Sequence, residues 1–220
     1  MNIVRNDTEI LNELNRIENR INLENNEEVN SIVKKILEDV KDEGDEALKK
    51  YTLQFDGFNP EPLNVSRKEI QKAWDTTKKP LKEALKNAKH RIEKFHEREI
   101  PKSFSIKGIY GEDVQRKWLP VQRAGLYVPG GRASYPSTVL MNAIPAKVAG
   151  VKEIIMVSPA NAEGEINKTV LAAAHICGIE NIFKVGGAQA IAALAFGTKE
   201  INRVDVITGP GNIFVTTAKK

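Results

Sequence analysis

The sequence is short of the residues that most often announce a chemistry. It holds one cysteine, Cys177, and three histidines. A lone cysteine excludes an internal disulfide and suits a reducing compartment. No stretch approaches the roughly 20 unbroken apolar residues that a membrane span requires. The opening "MNIVRNDTEILNELNR" also lacks the apolar core of a signal peptide. Together these absences predict a cytoplasmic protein without a membrane partner. The histidines do not make a metal centre by spacing. His90 and His96 stand six apart on a predicted helix, about 240° around it, so they cannot clamp one ion. His175 and Cys177, two apart on another predicted helix, face different ways. There is no H-E-x-x-H and no Ser-His-Asp order. All four residues read as structural.

Charge of one sign is not concentrated either. The net charge is +4, which raises the question of nucleic acid. Yet "VKKILEDVKDEGDEALKK" and "KEALKNAKHRIEKFHERE" mix both signs at helical spacing, as solvated helix faces do. A phosphate-binding stripe would show one sign on one face, so no nucleic-acid partner is expected. With 220 residues and 41% hydrophobic content, the chain is large enough to bury a sizeable core.

What is present falls into two textures. Residues 1 to about 105 read as helical and polar. Ile32, Val33, Ile36, Leu37 and Val40 recur on one helix face, with Ser31 as the expected cap and Gly44 as a break. "FDGFNPEPLNVS" is a loop by its turn chemistry, and Ser66 caps the next helix. After Pro80, Leu81, Leu85, Ala88, Ile92 and Phe95 predict a long amphipathic helix with one buried stripe. Around residue 105, "SFSIKGIYGEDVQRKWLPVQ" predicts short strands or a hairpin. From 124 onward strands alternate with helices. "AGLYV", "EIIMVS", "IFKVG" and "VDVITG" read as strands, with helices in "STVLMNAIPAKVAG", "NKTVLAAAHICG", "AQAIAALAFG" and "NIFVTTAKK". This rhythm predicts an α/β fold with a parallel sheet covered on both faces.

Three of these strands run into glycine: "VPGGR", "VGGAQ" and "TGPGN". Ligands of open parallel sheets sit outside the carboxyl ends of the strands, so all three loops belong on one edge. Glycine lets backbone approach a ligand, and each following helix offers unpaired N–H groups. Such an edge suits a phosphate-bearing or otherwise anionic cofactor. The supporting positions are Pro129, Gly130, Gly131, Gly186, Gly187, Gly209 and Gly211, with polar Gln189 and Asn212 at corresponding places. Asn212 is also placed to cap the last helix. The usual dinucleotide signature is absent. No G-x-G-x-x-G follows a strand, and the second strand ends in Ser158 rather than an acid for the ribose. Asp205 belongs at a strand start, away from the ligand edge.

The same loops carry a resemblance. "GLYVPGGRASYPSTVLMNAIPAKVAG", "VGGAQAIAALAFGT" and "VDVITGPGNIFVTTAKK" resemble histidinol dehydrogenase in order and spacing, and "YTLQFDGF" and "RIEKFHE" agree with it. The resemblance implies an enzyme that makes histidine from L-histidinol by two NAD-dependent oxidations. It further implies a homodimer with zinc in the site and Rossmann-like domains of incomplete type. On that basis residues 1–122 are a mainly helical segment of a first α/β domain, and 123–220 an NAD-binding domain. The NAD contacts carried over are Tyr127, Gln189 and Asn212. The family's zinc ligands, its Glu-His proton-handling pair and its histidinol-holding residues correspond to positions after "GPGN". No catalytic residue and no zinc ligand is therefore assigned in this chain. The expectation is an amino-terminal fragment inactive by itself, the alternative a non-catalytic nucleotide-binding module.

Overall fold

The computed structural model describes residues 6–22, 27–130 and 135–220. Of the residues singled out above, Gly131 lies outside them. Helix α1 (Asp7–Asn22) precedes α2 (Glu27–Glu43) and α3 (Asp45–Asp56), then α4 (Arg67–Asp75) and α5 (Lys79–His96). A hairpin follows, β1 (Phe104–Lys107) and β2 (Asp113–Arg116). Strand β3 (Arg123–Tyr127) begins the alternating part, with α6 (Pro136–Val148), β4 (Glu153–Val157), α7 (Lys168–Ile176), β5 (Asn181–Phe183), α8 (Gly187–Phe196), β6 (Val206–Thr208) and α9 (Ile213–Ala218).

Strands β3 to β6 form one parallel sheet in the order β5-β4-β3-β6. Starting from β3, the chain steps outward twice and then returns to the opposite side of β3. That reversal lies between β3 and β6, and such a switch point opens a crevice at the carboxyl edge. The two-residue period of strand side chains divides the core between the sheet's faces. Leu126, Ile154, Met156 and Ile182 pack with α4, α5, α6 and α7. Tyr127, Ile155, Val157 and Phe183 pack with α2, α3, α8 and α9. The mainly helical segment thus covers both faces of the sheet. Gly125 admits α8 closely: a Cβ there would lie 2.9 Å from Leu194 Cδ1.

The chain between α3 and α4 closes the sheet's outer edge. Val65 N–H donates to the Ile182 carbonyl and Lys184 N–H to that of Leu63, both at 2.8 Å. This occupies backbone groups that an edge strand would otherwise leave unpaired. Ser66 caps α4 as expected, in a reciprocal capping box with Glu69.

The amino edge of the sheet is held by charge. Arg123 Nε pairs with Glu153 Oε2 at 2.6 Å, and Asn202 Nδ2 donates to Glu153 Oε1 at 3.0 Å. These partners, Asn202 first, hold the Glu153 carboxyl below its usual range. Asp205 Oδ2 accepts the Gln122 and Arg123 N–H groups at 2.9 and 2.8 Å. Asp205 therefore anchors β6 to the start of β3, on the edge away from the glycine loops.

Two local expectations need correction. Ser31 is not a cap, because α2 begins at Glu27. The acidic pair Glu27–Glu28 favours the positive helix end, and the buried stripe already includes Val29. On α5, Leu85 is buried and Leu81, Ala88 and Ile92 pack against the same cluster, but Phe95 is exposed. The α5 residues packed into that cluster end at Ile92, one turn before Phe95. The hairpin pairs Phe104 with Arg116 through Lys107 with Asp113 and is exposed along its length. No described helix is long and apolar enough to cross a membrane.

Candidate cofactor site

A cavity of about 700 Å³ opens at the switch point. Its walls come largely from the carboxyl edge of the sheet. Tyr127 ends β3 and Pro129 and Gly130 follow it, Pro159 follows β4, and Gly187 and Gln189 begin α8. Gly211 and Asn212 follow β6. The remaining wall belongs to the helical segment: Ile32 and Ile36 of α2, and Phe55 and Asp56 at the end of α3. An apolar enclosure with a few convergent polar groups is the ordinary form of a small-ligand site.

Tyr127 is 5% exposed, and its hydroxyl accepts the Gly187 N–H at 3.2 Å. That bond ties the end of β3 to the first turn of α8. Burial raises the phenol's pKa, the Gly187 bond opposes this, and the nearby Asp56 charge adds to it. At neutral pH Tyr127 is a protonated phenol with a proton to donate. Gln189 is 1% exposed, and its Oε1 has no hydrogen-bond partner among the described residues. An acceptor left so costs about 1–3 kcal/mol, which a ligand donor would recover. Asn212 Oδ1 accepts the Val215 N–H at 3.1 Å and so caps α9. The carbonyl end is thereby engaged, and Asn212 also lines the cavity.

The remaining loop glycines have different duties. Gly186 and Gly209 do not line the cavity. A Cβ on Gly186 would meet Pro159 at 2.6 Å, and one on Gly209 would lie 2.0 Å from the Tyr127 carbonyl oxygen. Gly186 makes room for the Pro159 ring and Gly209 for the Tyr127 backbone, which lets the β5 loop pack on the β4 loop and the β6 loop on the end of β3.

Asp56 was not legible as a site residue. "FDGF" reads as turn chemistry, and α3 indeed ends at Asp56 with Gly57 in the left-handed region, at φ 78°. The available signal was a carboxylate in the last turn of a helix, where the dipole disfavours it. Its Oδ2 is buried without a partner among the described residues, and burial pushes its pKa up to about 6. A carboxyl raised in this way destabilises the fold when it ionises. The cost is present above about pH 6 and disappears below the unfolded value near pH 4. Because the group is only half-buried, solvent screening leaves on the order of 1–2 kcal/mol. Asp56→Asn is therefore expected to raise the melting temperature at pH 7.5 by roughly 2–6 °C. At pH 4 the gain should vanish. Equal gains at both pH values would show that ionisation is not the cause.

None of the histidines or Cys177 reaches the cavity. His96 pairs with Glu99, and His175 stacks on Trp74 at 5.3 Å between centroids. Cys177 is buried, which pushes its thiol up to about 11. No group of three or more His, Cys, Asp or Glu residues able to hold a metal occurs among the described residues. They offer no ligand set for the zinc that the resemblance implies.

Comparison with known proteins gives this architecture a lineage. A histidinol dehydrogenase of Prochlorococcus marinus is 64% identical over all 220 residues, which match 50% of that protein. One from Thermosynechococcus vestitus is 50% identical over 97% of the chain and 50% of its own length. The crystal structure of histidinol dehydrogenase from Elizabethkingia anophelis superposes with a TM-score of 0.82 at 42% identity. That superposition covers 86% of this chain and 44% of the other. The chain thus spans about half the length of the curated relatives it matches. The family model described as histidinol dehydrogenase matches residues 19–220. The glycine loops, the sheet and the helices that wall its crevice therefore lie on a chain that belongs to the histidinol dehydrogenase family.

Proposed function

We propose that these 220 residues supply the cofactor side of an NAD-dependent oxidoreductase that converts L-histidinol to L-histidine. The observation that carries the reading is the cavity at the switch point, where Tyr127, Gln189 and Asn212 converge from three loops. The unpaired Gln189 Oε1 fits a ligand that brings hydrogen-bond donors. NAD, when bound, supplies the hydride acceptor for both oxidations. The chain's own groups bind and orient it. The Tyr127 phenol and Asn212 amide donate, Gln189 Oε1 accepts, and Ile32, Ile36 and Phe55 exclude water. Residues 123–220 form the NAD-binding domain in this reading, and residues 1–122 contribute the helical wall. The zinc, the histidinol contacts and the proton-transfer groups belong to the full-length family, acting in the cytoplasm as a homodimer. Histidinol oxidation by the described residues alone is not expected, since no histidine or metal-ligand cluster faces the cavity.

Calorimetric titration of NAD into the purified chain tests this reading, with two Asn212 variants alongside. Asn212→Asp keeps the capping oxygen and removes the amide donor; Asn212→Ala removes both. Saturable binding is expected, weakened roughly tenfold or more in each variant. The alanine variant should lose a further ~1 kcal/mol of stability with the cap. A cooperatively folded chain that binds no NAD would sink the proposal.

A further inference from the structure

Doubly wound sheets usually place an acid at the end of the second strand, where it takes the ribose hydroxyls of a dinucleotide. Here β4 ends at Val157, and Ser158 follows, 1% exposed. That corner offers no carboxylate. Across the cavity, however, the helical segment delivers one. Asp56 lines the same space, its Oδ2 is buried, and no hydrogen bond or ion pair satisfies that atom among the described residues. Its charge is felt by the Tyr127 phenol, whose oxygen holds the Gly187 N–H. A Cβ on Gly187 would stand 2.5 Å from Gln189 Oε1. Asp56, Tyr127 and Gln189 therefore line one cavity whose other walls are mostly apolar.

A carboxyl with one buried oxygen and no cation paired to it among the described residues has two uses in such a site. It accepts hydrogen bonds from neutral donors, and it repels anions. The dinucleotide offers neutral donors in its ribose hydroxyls, and an anion would arrive there as a 2′-phosphate. We infer that Asp56 takes a hydrogen bond from a ribose hydroxyl of the bound dinucleotide and bars a phosphate from that position, so that the cavity selects NAD over NADP. The inference rests on the cofactor reading above. It assigns to α3, outside the sheet, the discrimination that the end of β4 lacks. The unpaired state of Asp56 is then the cost of a site built for its ligand.

The test is a titration of NAD, NADP and ADP-ribose into the wild-type chain, Asp56→Asn and Asp56→Ser. The serine variant removes the charge with a smaller acceptor, and melting curves establish that each variant is folded. Wild type should bind NAD and ADP-ribose at least roughly tenfold more tightly than NADP. Both variants should bring that ratio close to one, mainly by gaining NADP affinity, and both should also weaken ADP-ribose. An NAD-to-NADP ratio unchanged in both folded variants overturns the role of Asp56 and leaves the cofactor site standing. Weakened NAD binding with unaltered ADP-ribose binding would move the contact to the nicotinamide carboxamide and equally overturn it. If folded wild type binds none of the three, the cofactor reading fails and this inference with it.

Discussion

Replacing Gly209 with alanine is expected to lower the chain's stability by about 3 kcal/mol or more and to abolish the NAD binding proposed above. The backbone at Gly209 has φ +114°, a region that residues with a Cβ rarely adopt. Strain of this kind costs of order 1–3 kcal/mol. The new Cβ would also stand 2.0 Å from the Tyr127 carbonyl oxygen, and overpacking against fixed backbone adds about 1–3 kcal/mol. Relief requires the β6 loop to move away from the end of β3. These are the two loops that carry Asn212 and Tyr127, so the cavity opens at the switch point itself. Thermal melting should show a fall of roughly 6–12 °C, and the titration should show no saturation. A melting temperature within about 2 °C of wild type would mean that this contact gives way easily.

Leu48→Ala should be comparably costly for a different reason. Leu48 is fully buried, on the face of α3 that meets α2 and α8. Its neighbours in the cluster come from the sheet and from α2, α8 and α9. Truncating a buried leucine costs about 2–5 kcal/mol, depending on how far the surroundings collapse into the cavity. The melting temperature should fall by roughly 4–15 °C in one cooperative transition. Two separated transitions, with only the first shifted, would show that the helical segment folds apart from the sheet. The same variant should weaken NAD binding, because α3 sets the position of Phe55 and Asp56 in the cavity wall. Asp56 makes the converse case. Its removal should stabilise the fold at neutral pH while relaxing ligand choice, the trade expected of a strained functional group.

The loops were legible because glycine, proline and capping residues act locally. "TGPGN" predicts a strand end, a turn and a capped helix, and Asn212 does cap α9. The division of duties among the glycines was not legible. Gly130, Gly187 and Gly211 line the cavity, whereas Gly186 faces the Pro159 ring and Gly209 the Tyr127 backbone. Nothing in the composition of a loop records which chain segment lies against it. The α2 stripe shows the same limit. Ile32 and Ile36 were read onto one helix face, yet Ile36 is 2% exposed, Ile32 is 39% exposed, and both line the cavity. A helical period identifies a shared face but not whether protein or ligand will cover it.

The sequence by itself determined the alternation of strands and helices, the two covered faces of the sheet and the family. Each of these follows from patterns of neighbouring residues, whether a period, a turn or a motif. Only the tertiary structure decided that β6 lies beside β3, which creates the crevice. It alone also decided that the helical segment closes that crevice with Asp56. Those two facts join residues from distant parts of the chain. They depend on the packing of complete elements, and no local spacing encodes where a completed element will come to rest.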